Sequence, residues 1–322
     1  MIKDITIYCE KHELLKPYIL SFDTIQALDS IRVEITLHDG DKRVAETVPL
    51  PGYSDETKES ILLYLNRAIP GLAGKDLADA RNIVEKDISK NPFACSPLLT
   101  AMDLFEFECK KFNPADIEFV VPLASSNIEE MGQAIKNVSN FSSKTLKIKL
   151  SGNTETDIKC IEFLEMKDLN NFRIRFDANQ AYSYKDACLF YSSVKMCKFR
   201  EQVSYVEQPL GIDCWDEHEK LVKEFPDVKT MLDESVVKDS DLYRAIALRI
   251  PFVKFKLFKQ GGIKELIRQI HHAFEKGIHV VLGNGVATKL SNDIENAIYL
   301  LLKEKIYGAS EANGFLKLKD NK

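Results

Sequence analysis

Two short stretches of the chain alternate lysine with apolar residues, "TLKIKL" starting at Thr145 and "FVKFKLF" starting at Phe252. Such alternation predicts β-strands, in which residues two apart lie on the same face. Lysines on a solvated face need no partner, whereas lysines on a face buried inside a parallel sheet require anionic groups beside them. The lysines that share a face are Lys147 with Lys149 and Lys254 with Lys256.

Carboxylates that could be those partners follow three other predicted strands. Asp177 ends "RFD", Glu207 ends "YVE" and Asp233 ends "MLD", with Asn179 and Glu234 close behind. Each acid alone could be a helix cap, but the carboxyl ends of parallel barrel strands meet on the face where active sites form. Three carboxylates on a rigid edge suit a hard divalent cation, Mg²⁺ above all. The sequence therefore predicts a magnesium site.

Lys149 and Lys256 flank this acidic arc and could act as bases. A metal and other cations lower the pKa of a nearby lysine, which can then accept a proton near neutral pH. The chemistry predicted is removal of a proton from the carbon next to a carboxylate. The metal would stabilise the doubly charged enediolate that forms.

Short strands that alternate with helices must position these side chains. "PLASSN" after the first strand lacks the glycine-rich phosphate turn of an open doubly wound sheet. Repeated β-α units therefore favour a (β/α) barrel. The predicted strands span residues 117–123, 145–150, 172–177, 203–208, 228–234, 252–258 and 278–283, with a weaker one at 306–310.

The first third of the chain predicts a separate α+β unit. "SIRVEITLHDGDKRVAETVPL" predicts an antiparallel hairpin with its turn at residues 38–41. Helices are predicted in "ETKESILLYLNRAIPG", with Ser54 or Asp55 as N-cap, in "DLADARNIVEKDIS" and in "SPLLTAMDLFEFECKKF". We expect a capping domain over residues 1–115 that includes part of the tail at 311–322, and a barrel over 116–310.

Composition excludes several classes of function. The chain has 322 residues, of which 29% are charged, and a net charge of −5, which argues against nucleic-acid and anionic-membrane partners. No apolar run approaches the ~18–20 residues that span a bilayer, and the N-terminus resembles no secretory signal. The seven cysteines form no C-x-x-C motif, so we expect thiols in a reducing cytoplasm. His271 and His272 are adjacent and cannot both face one metal, so no histidine or thiolate metal site is expected.

These motifs resemble those of the enolase superfamily, in its muconate-lactonizing subgroup. The resemblance implies a capping α+β domain and a modified TIM barrel, (β/α)₇β. It makes Lys149 of the K-x-K motif and Lys256 of "KLFKQGG" the catalytic lysines, and Asp177, Glu207 and Asp233 the ligands of Mg²⁺, for which Mn²⁺ could substitute. Lys254 is additional to the subgroup's pattern. The residues expected to bind a small carboxylate substrate are Lys147, Asn179, Tyr53, Glu234, Asn284 and Gly285.

The reaction predicted from the capping loop is dehydration. "PLPGYSDET" resembles "PLPGFS-x-E-T" of o-succinylbenzoate synthases, which dehydrate a cyclohexadiene carboxylate in menaquinone synthesis. Lys149 would remove the α-proton, and Lys256 would stay cationic beside the ring. The alternative is a dipeptide epimerase, supported by the sixth strand, although Glu311 and Asn313 replace the D-x-D that holds the substrate ammonium in that group. Another racemase, a cycloisomerase or a catalytically silent binding protein also stays open, as does a monomer or a homo-oligomer.

Overall fold

The computed structural model describes residues 1–19, 24–50, 56–138 and 144–319 of the chain. Its first part is a three-stranded antiparallel sheet in the order β1-β2-β3. Val33 on the central strand pairs with Ile7 on one side and Ala45 on the other, which confirms the predicted hairpin. The outer strand β1 was not predicted. The strands are β1 (Ile2–Ile19), β2 (Thr24–Leu37) and β3 (Lys42–Thr47).

Three helices cover this sheet: α1 (Lys58–Ala68), α2 (Leu77–Glu85) and α3 (Pro92–Asp103). The N-cap of α1 is Thr57, whose side chain accepts from Ser60 N, whereas the predicted caps lie outside the described residues. Helix α3 is buried as predicted but ends at Asp103. The prediction extended it to residue 112; it was wrong there because "LFEFEC" alternates with a period of two, which does not form a single helical stripe.

Seven parallel strands follow in one sheet whose order matches the order of the chain. Their register places Lys149, Asp177 and Glu207 side by side on three neighbouring strands. The predicted strand 228–234 is shorter than expected, so that Asp233 lies just beyond its end. The strands are β4 (Val121–Ala124), β5 (Thr145–Lys149), β6 (Arg173–Asp177), β7 (Val203–Glu207), β8 (Thr230–Leu232), β9 (Phe252–Phe255) and β10 (His279–Leu282).

Helices connect the strands along the sheet, as a (β/α) barrel requires. The connecting helices are α4 (Ile128–Val138), α5 (Thr154–Glu165), α6 (Tyr184–Met196), α7 (Trp215–Glu224), α8 (Asp239–Ala247), α9 (Leu257–Gln260), α10 (Ile263–Glu275) and α11 (Lys289–Leu301). Among the residues that the structure describes, none of the helices is long and apolar enough to cross a membrane.

The segment at 306–310 closes the barrel without forming a regular strand. Ile306 bridges to Val280 on β10, and Ser310 bridges to Phe119 just before β4. The segment therefore occupies an eighth position in the ring, between the first and last strands. The result is the predicted modified barrel with a capping α+β unit.

The capping unit packs on the barrel through buried polar contacts. Glu46 on β3 accepts hydrogen bonds from the backbone N and the hydroxyl of Thr288, at 3.1 and 2.6 Å, where α11 begins. At the other end of the chain, Leu318 bridges to Leu14 on β1. We propose that residues 1–115 and part of 311–322 form the capping domain, because both segments meet over the same end of the barrel.

Candidate active site

The two lysine-containing strands lie inside the sheet, with other strands on both sides. Ile148 on β5 and Phe255 on β9 pack in the hydrophobic layer between strands and helices. Lys147 and Lys254 point the opposite way, are almost completely buried and contact carboxylates. The predicted face is confirmed: these lysines point into the barrel.

A compact charge cluster fills the centre of the barrel. Lys147 Nζ lies 2.7 Å from Glu207 Oε2 and 2.6 Å from Glu311 Oε2. Lys254 Nζ lies 2.6 Å from Glu207 Oε1 and 2.5 Å from the same oxygen of Glu311. Arg175 Nη1 adds a contact of 2.8 Å to Glu311 Oε1. Glu311 therefore has three cationic partners.

Lys149 and Lys256 each contact one of the other acids. Lys149 Nζ lies 2.6 Å from Asp177 Oδ2 and donates to Asn179 Oδ1 at 2.7 Å. Lys256 Nζ lies 2.6 Å from Asp233 Oδ2. Lys149 ends the second strand of the ring and Lys256 follows the sixth, so the two lysines approach the centre of an eight-position ring from opposite sides.

Burial and charge act in opposite directions on the four acids. Burial would raise the pKa of Asp177, Asp233 and Glu311, but the adjacent ammonium groups hold the pKa of each below its usual range. Glu207 differs, because burial and the negative charge of Asp177 raise its pKa although two lysines contact it. Glu207 is therefore the acid whose charge is least well stabilised.

Two opposing effects act on the pKa of Lys149 within the protein itself. Burial lowers the pKa of Lys149, but the carboxylate of Asp177 raises it, and the outcome is a pKa above the ordinary lysine value. The lowered pKa predicted from the sequence refers to a site that also holds a metal ion, so it stays a prediction. With this partner Lys149 would act as a base only when the charge of Asp177 is compensated.

The backbone is left-handed just after two of the acids. Asn179 has a φ of 42° and Gln208 a φ of 36°, conformations that cost free energy in residues other than glycine. Asn179 N donates to Asp177 Oδ1 at 3.1 Å, and Gln208 Oε1 accepts from Asp233 N at 3.0 Å. These hydrogen bonds hold the strand ends in place and fix the acids that they carry.

Two further residues support the site and were missed in the sequence. Lys259 Nζ lies 3.0 Å from Asp233 Oδ1, and burial lowers the pKa of Lys259 to about 8. Glu295 Oε1 accepts from Leu257 N at 3.0 Å, and burial raises the pKa of Glu295 to about 7. The "KLFKQGG" motif already contained Lys259, but no pattern in the sequence distinguishes Glu295 from a surface acid on a helix.

These side chains meet at a cavity of about 50 Å³ at the carboxyl end of the strands. Most of the residues singled out in the sequence line it. They are Lys147, Lys149, Asp177, Asn179, Glu207, Asp233, Lys254, Lys256, Asn284, Gly285, Glu311 and Asn313.

One residue expected at the substrate, Glu234, is not among the described residues that line this cavity. Glu234 lies behind it: its Oε1 accepts from Asn179 Nδ2 at 3.3 Å, and its Oε2 is buried without a hydrogen-bond partner among the described residues. Strand β8 ends at Leu232, so Glu234 lies two residues beyond it, and its role at the substrate stays a prediction. Tyr53 lies outside the described residues.

The sequence "GNG" at residues 283–285, just after β10, has a steric explanation at its first glycine. Gly283 has a φ of 131°, and a Cβ there would lie 2.2 Å from Ala312 N. Asn284 Oδ1 accepts from Val286 N at 2.9 Å and shapes the following turn. Because Gly283 has no side chain, the segment that carries Glu311 can approach the end of β10 closely.

The donor set of Asp177, Glu207 and Asp233 suits Mg²⁺ in chemical type, because all three offer carboxylate oxygens. The spacing differs from the predicted cluster. Lys147 Nζ lies between two of them, 2.8 Å from Asp177 Oδ2 and 2.7 Å from Glu207 Oε2. Over the ranges that the structure describes, no three acidic, histidine or cysteine side chains are close enough to hold a metal ion. The acids share one cavity, but ammonium groups are their nearest partners.

Fold and site together define a capped (β/α)₇β barrel enzyme with paired lysines and acids at the carboxyl ends of its strands. A family model described as "Enolase C-terminal domain-like" matches residues 130–311, which is more than half of the chain. The chain belongs to the enolase superfamily, as its motifs predicted, and is an enzyme.

Named relatives agree with this assignment. An L-Ala-D/L-Glu epimerase of Clostridium acetobutylicum is 24% identical over 98% of this chain and 90% of its own length. An N-succinyl-L-Arg/Lys racemase of Bacillus cereus is also 24% identical, over 98% and 88%. A solved structure of a dipeptide epimerase of Enterococcus faecalis, complexed with Mg and the dipeptide L-Leu-L-Tyr, superposes on this chain with a TM-score of 0.84. The two sequences are 20% identical, and the match covers 99% of this chain and 92% of that one.

Proposed function

We propose that this chain is a racemase or epimerase that inverts the carbon next to a carboxylate in an amino-acid derivative, such as a dipeptide or an N-acylamino acid. The observation that carries the proposal is the opposed placement of Lys149 and Lys256 across one cavity. A carbon held between them loses its proton to one lysine and gains a proton from the other on the opposite face, which inverts its configuration.

The named relatives support inversion over the dehydration predicted from the capping loop. Those relatives are epimerases and a racemase. The loop that suggested o-succinylbenzoate synthase includes Tyr53, and residues 51–55 lie outside the described ranges. The dipeptide epimerase alternative and its relatives therefore replace dehydration as the proposal.

The proposal assigns a role to each charged group at the cavity. Lys149 and Lys256 exchange the α-proton, each as base for one configuration and acid for the other. Asp177, Glu207 and Asp233 are the proposed ligands of Mg²⁺, for which we expect that Mn²⁺ can substitute. The bound ion would supply positive charge that lowers the pKa of Lys149 and stabilises the negative charge developing on the substrate.

Other cavity residues have proposed roles in holding the substrate. Lys147 and Asn179 lie beside Lys149 and can orient the substrate carboxylate. Asn284 and Gly285 line the cavity just after β10, next to the segment that carries Glu311. These groups position the reacting carbon relative to the two lysines.

The test is α-proton exchange in D₂O, followed by proton NMR with Mg²⁺ present and then chelated. L-Ala-L-Glu and N-acetyl-L-glutamate are suitable first substrates. Metal-dependent loss of the α-proton signal, with inversion, would support the proposal. Loss of ultraviolet absorbance from the cyclohexadiene carboxylate, without exchange in a panel of dipeptides and N-acylamino acids, would overturn it in favour of dehydration.

A further inference from the structure

Lys317 differs from the other lysines of the cavity because no acidic side chain in the described part of the chain forms an ion pair with it. Its Nζ donates to Gly285 O at 2.6 Å and lies 3.4 Å from Asn313 Oδ1. No Asp or Glu of the described ranges forms an ion pair with it, whereas the other four lysines on the cavity wall each contact a carboxylate. Lys317 is therefore the cation of the cavity that is available for an anion.

A second, larger cavity of about 300 Å³ adjoins the first. Lys149, Lys317, Tyr18 and Pro122 line both cavities, so they form the passage from one to the other. A substrate whose reacting carbon lies at Lys149 can extend an arm past Lys317 into the larger space.

Among the described residues, the acids that line the two cavities are already paired with lysines. In the inner cavity each carboxylate contacts at least one lysine. In the outer cavity Glu130 pairs with Lys16 at 3.1 Å. A group that enters the passage therefore meets positive charge that no unpaired carboxylate of the described residues balances.

The pKa of Tyr18 also shows an excess of positive charge in the passage. Lys317 Nζ lies 4.5 Å from the centre of the Tyr18 ring. Burial would raise the pKa of the Tyr18 phenol, but Lys317 and Lys149 lower it below its ordinary value. The ammonium of Lys317 also has a lowered pKa, first because it is buried and then because Lys149 repels it. An anion placed here would relieve both effects.

We propose that Lys317 binds a second carboxylate of the substrate, on the arm that extends from the reacting carbon toward the larger cavity. The proposal rests on the proposed function and narrows it: the substrate is a dianionic amino-acid derivative, whose second carboxylate is on its side chain or on its acyl group. Gly285 makes room for this contact, since a Cβ there would lie 3.0 Å from Lys317 Nζ.

The test compares substrates that differ by one charge in wild type and in Lys317→Met. The side-chain pair is N-acetyl-L-glutamate and N-acetyl-L-glutamine, and the acyl pair is N-succinyl-L-alanine and N-acetyl-L-alanine. Dissociation constants come from calorimetry with Mg²⁺, and exchange rates come from NMR in D₂O. We expect wild type to bind the dianion of at least one pair about tenfold more tightly, and Lys317→Met to remove this preference.

Two variants control the test. Lys319→Met removes an exposed lysine two residues away, which pairs with Glu13, and should keep the preference. Lys317→Arg retains the positive charge and should keep most of the preference for the dianion. This variant therefore separates loss of the cation from loss of folding. Exchange with no preference in either pair would overturn the subsite and leave the proposed function standing. A preference lost in Lys317→Met without any exchange would support the subsite and overturn the proposed function.

Discussion

Lys254 Nζ lies 2.6 Å from Glu207 Oε1, so an ammonium group on the sixth barrel strand neutralises a carboxylate on the fourth. Glu207 is one of the three proposed magnesium ligands. With Glu207 as a ligand, Lys254 and the metal ion would compete for the same negative charge. This competition distinguishes the site from one in which the acids face only the ion, and it has measurable consequences.

Replacing Lys254 with methionine should change metal affinity and stability in opposite directions. Mg²⁺ should bind about tenfold more tightly, because Glu207 loses one of its two ammonium partners. The free energy of unfolding should fall by about 3 kcal/mol, since Glu207 and Glu311 lose part of a buried ion-pair network. Calorimetry and urea denaturation measure the two effects.

The matched control for this change is Lys229→Met, which removes an exposed lysine just before β8. It should leave both quantities unchanged. Weaker Mg²⁺ binding in Lys254→Met would contradict the competition and would mean that Lys254 helps to hold the acids in place for the ion.

Asp233→Asn should weaken Mg²⁺ binding by more than about tenfold, because an amide lacks the charge of a carboxylate ligand. Calorimetric titration measures this directly and does not depend on knowing the substrate. Asp213→Asn, an exposed change in the loop before α7, is the control. Undiminished affinity would point to Glu234 as the third ligand instead.

Removing either Lys149 or Lys256 should separate the exchange of the α-proton in one configuration from its exchange in the other. Lys149→Ala should lower the rate of inversion by a factor of roughly 10²–10⁴. In Lys149→Ala, Lys256 should still exchange the α-proton of one configuration with solvent. In Lys256→Ala, Lys149 should still exchange the α-proton of the other configuration. Proton NMR of each enantiomer in D₂O shows which proton is lost.

The control is Lys144→Ala, an exposed lysine immediately before β5, which should behave as wild type. Both lysine variants could instead stay folded and lose exchange equally with both enantiomers. That result would argue against one lysine on each face of the substrate.

Glu295 should make the protein less stable as the pH rises. Burial raises the pKa of Glu295 to about 7 from an ordinary 4.5, so the folded state holds a proton that the unfolded state releases in this range. This contribution to stability is complete below about pH 4.5 and is lost as the pH rises through 7, for a total of roughly 3 kcal/mol.

Glu295→Gln should remove this pH dependence while its amide oxygen still accepts from Leu257 N. Urea denaturation of both proteins at pH 5 and pH 8 measures the difference. Glu304→Gln, an exposed change in the segment after α11, should keep the wild-type slope. Identical slopes in wild type and Glu295→Gln would show that Glu295 titrates normally.

Much of the fold could be predicted because it depends on local patterns. Alternation placed Lys147 and Lys254 on the buried face, and the succession of strands and helices indicated the barrel. The first strand of the capping sheet was not predicted, although Ile5 and Ile7 alternate with polar residues. Strand ends were less predictable: β8 ends at Leu232, two residues before the predicted end at residue 234.

The sequence by itself determined which residues reach the interior face of the barrel, since strand parity and strand order are properties of neighbours along the chain. Only the tertiary structure decided how their charges pair. Lys254 meets Glu207 and Glu311, Asp177 raises the pKa of Lys149, and Lys317 has no acid beside it among the described residues. These relationships depend on ångström-scale distances between strands far apart in sequence, because Coulomb energies change steeply over that range.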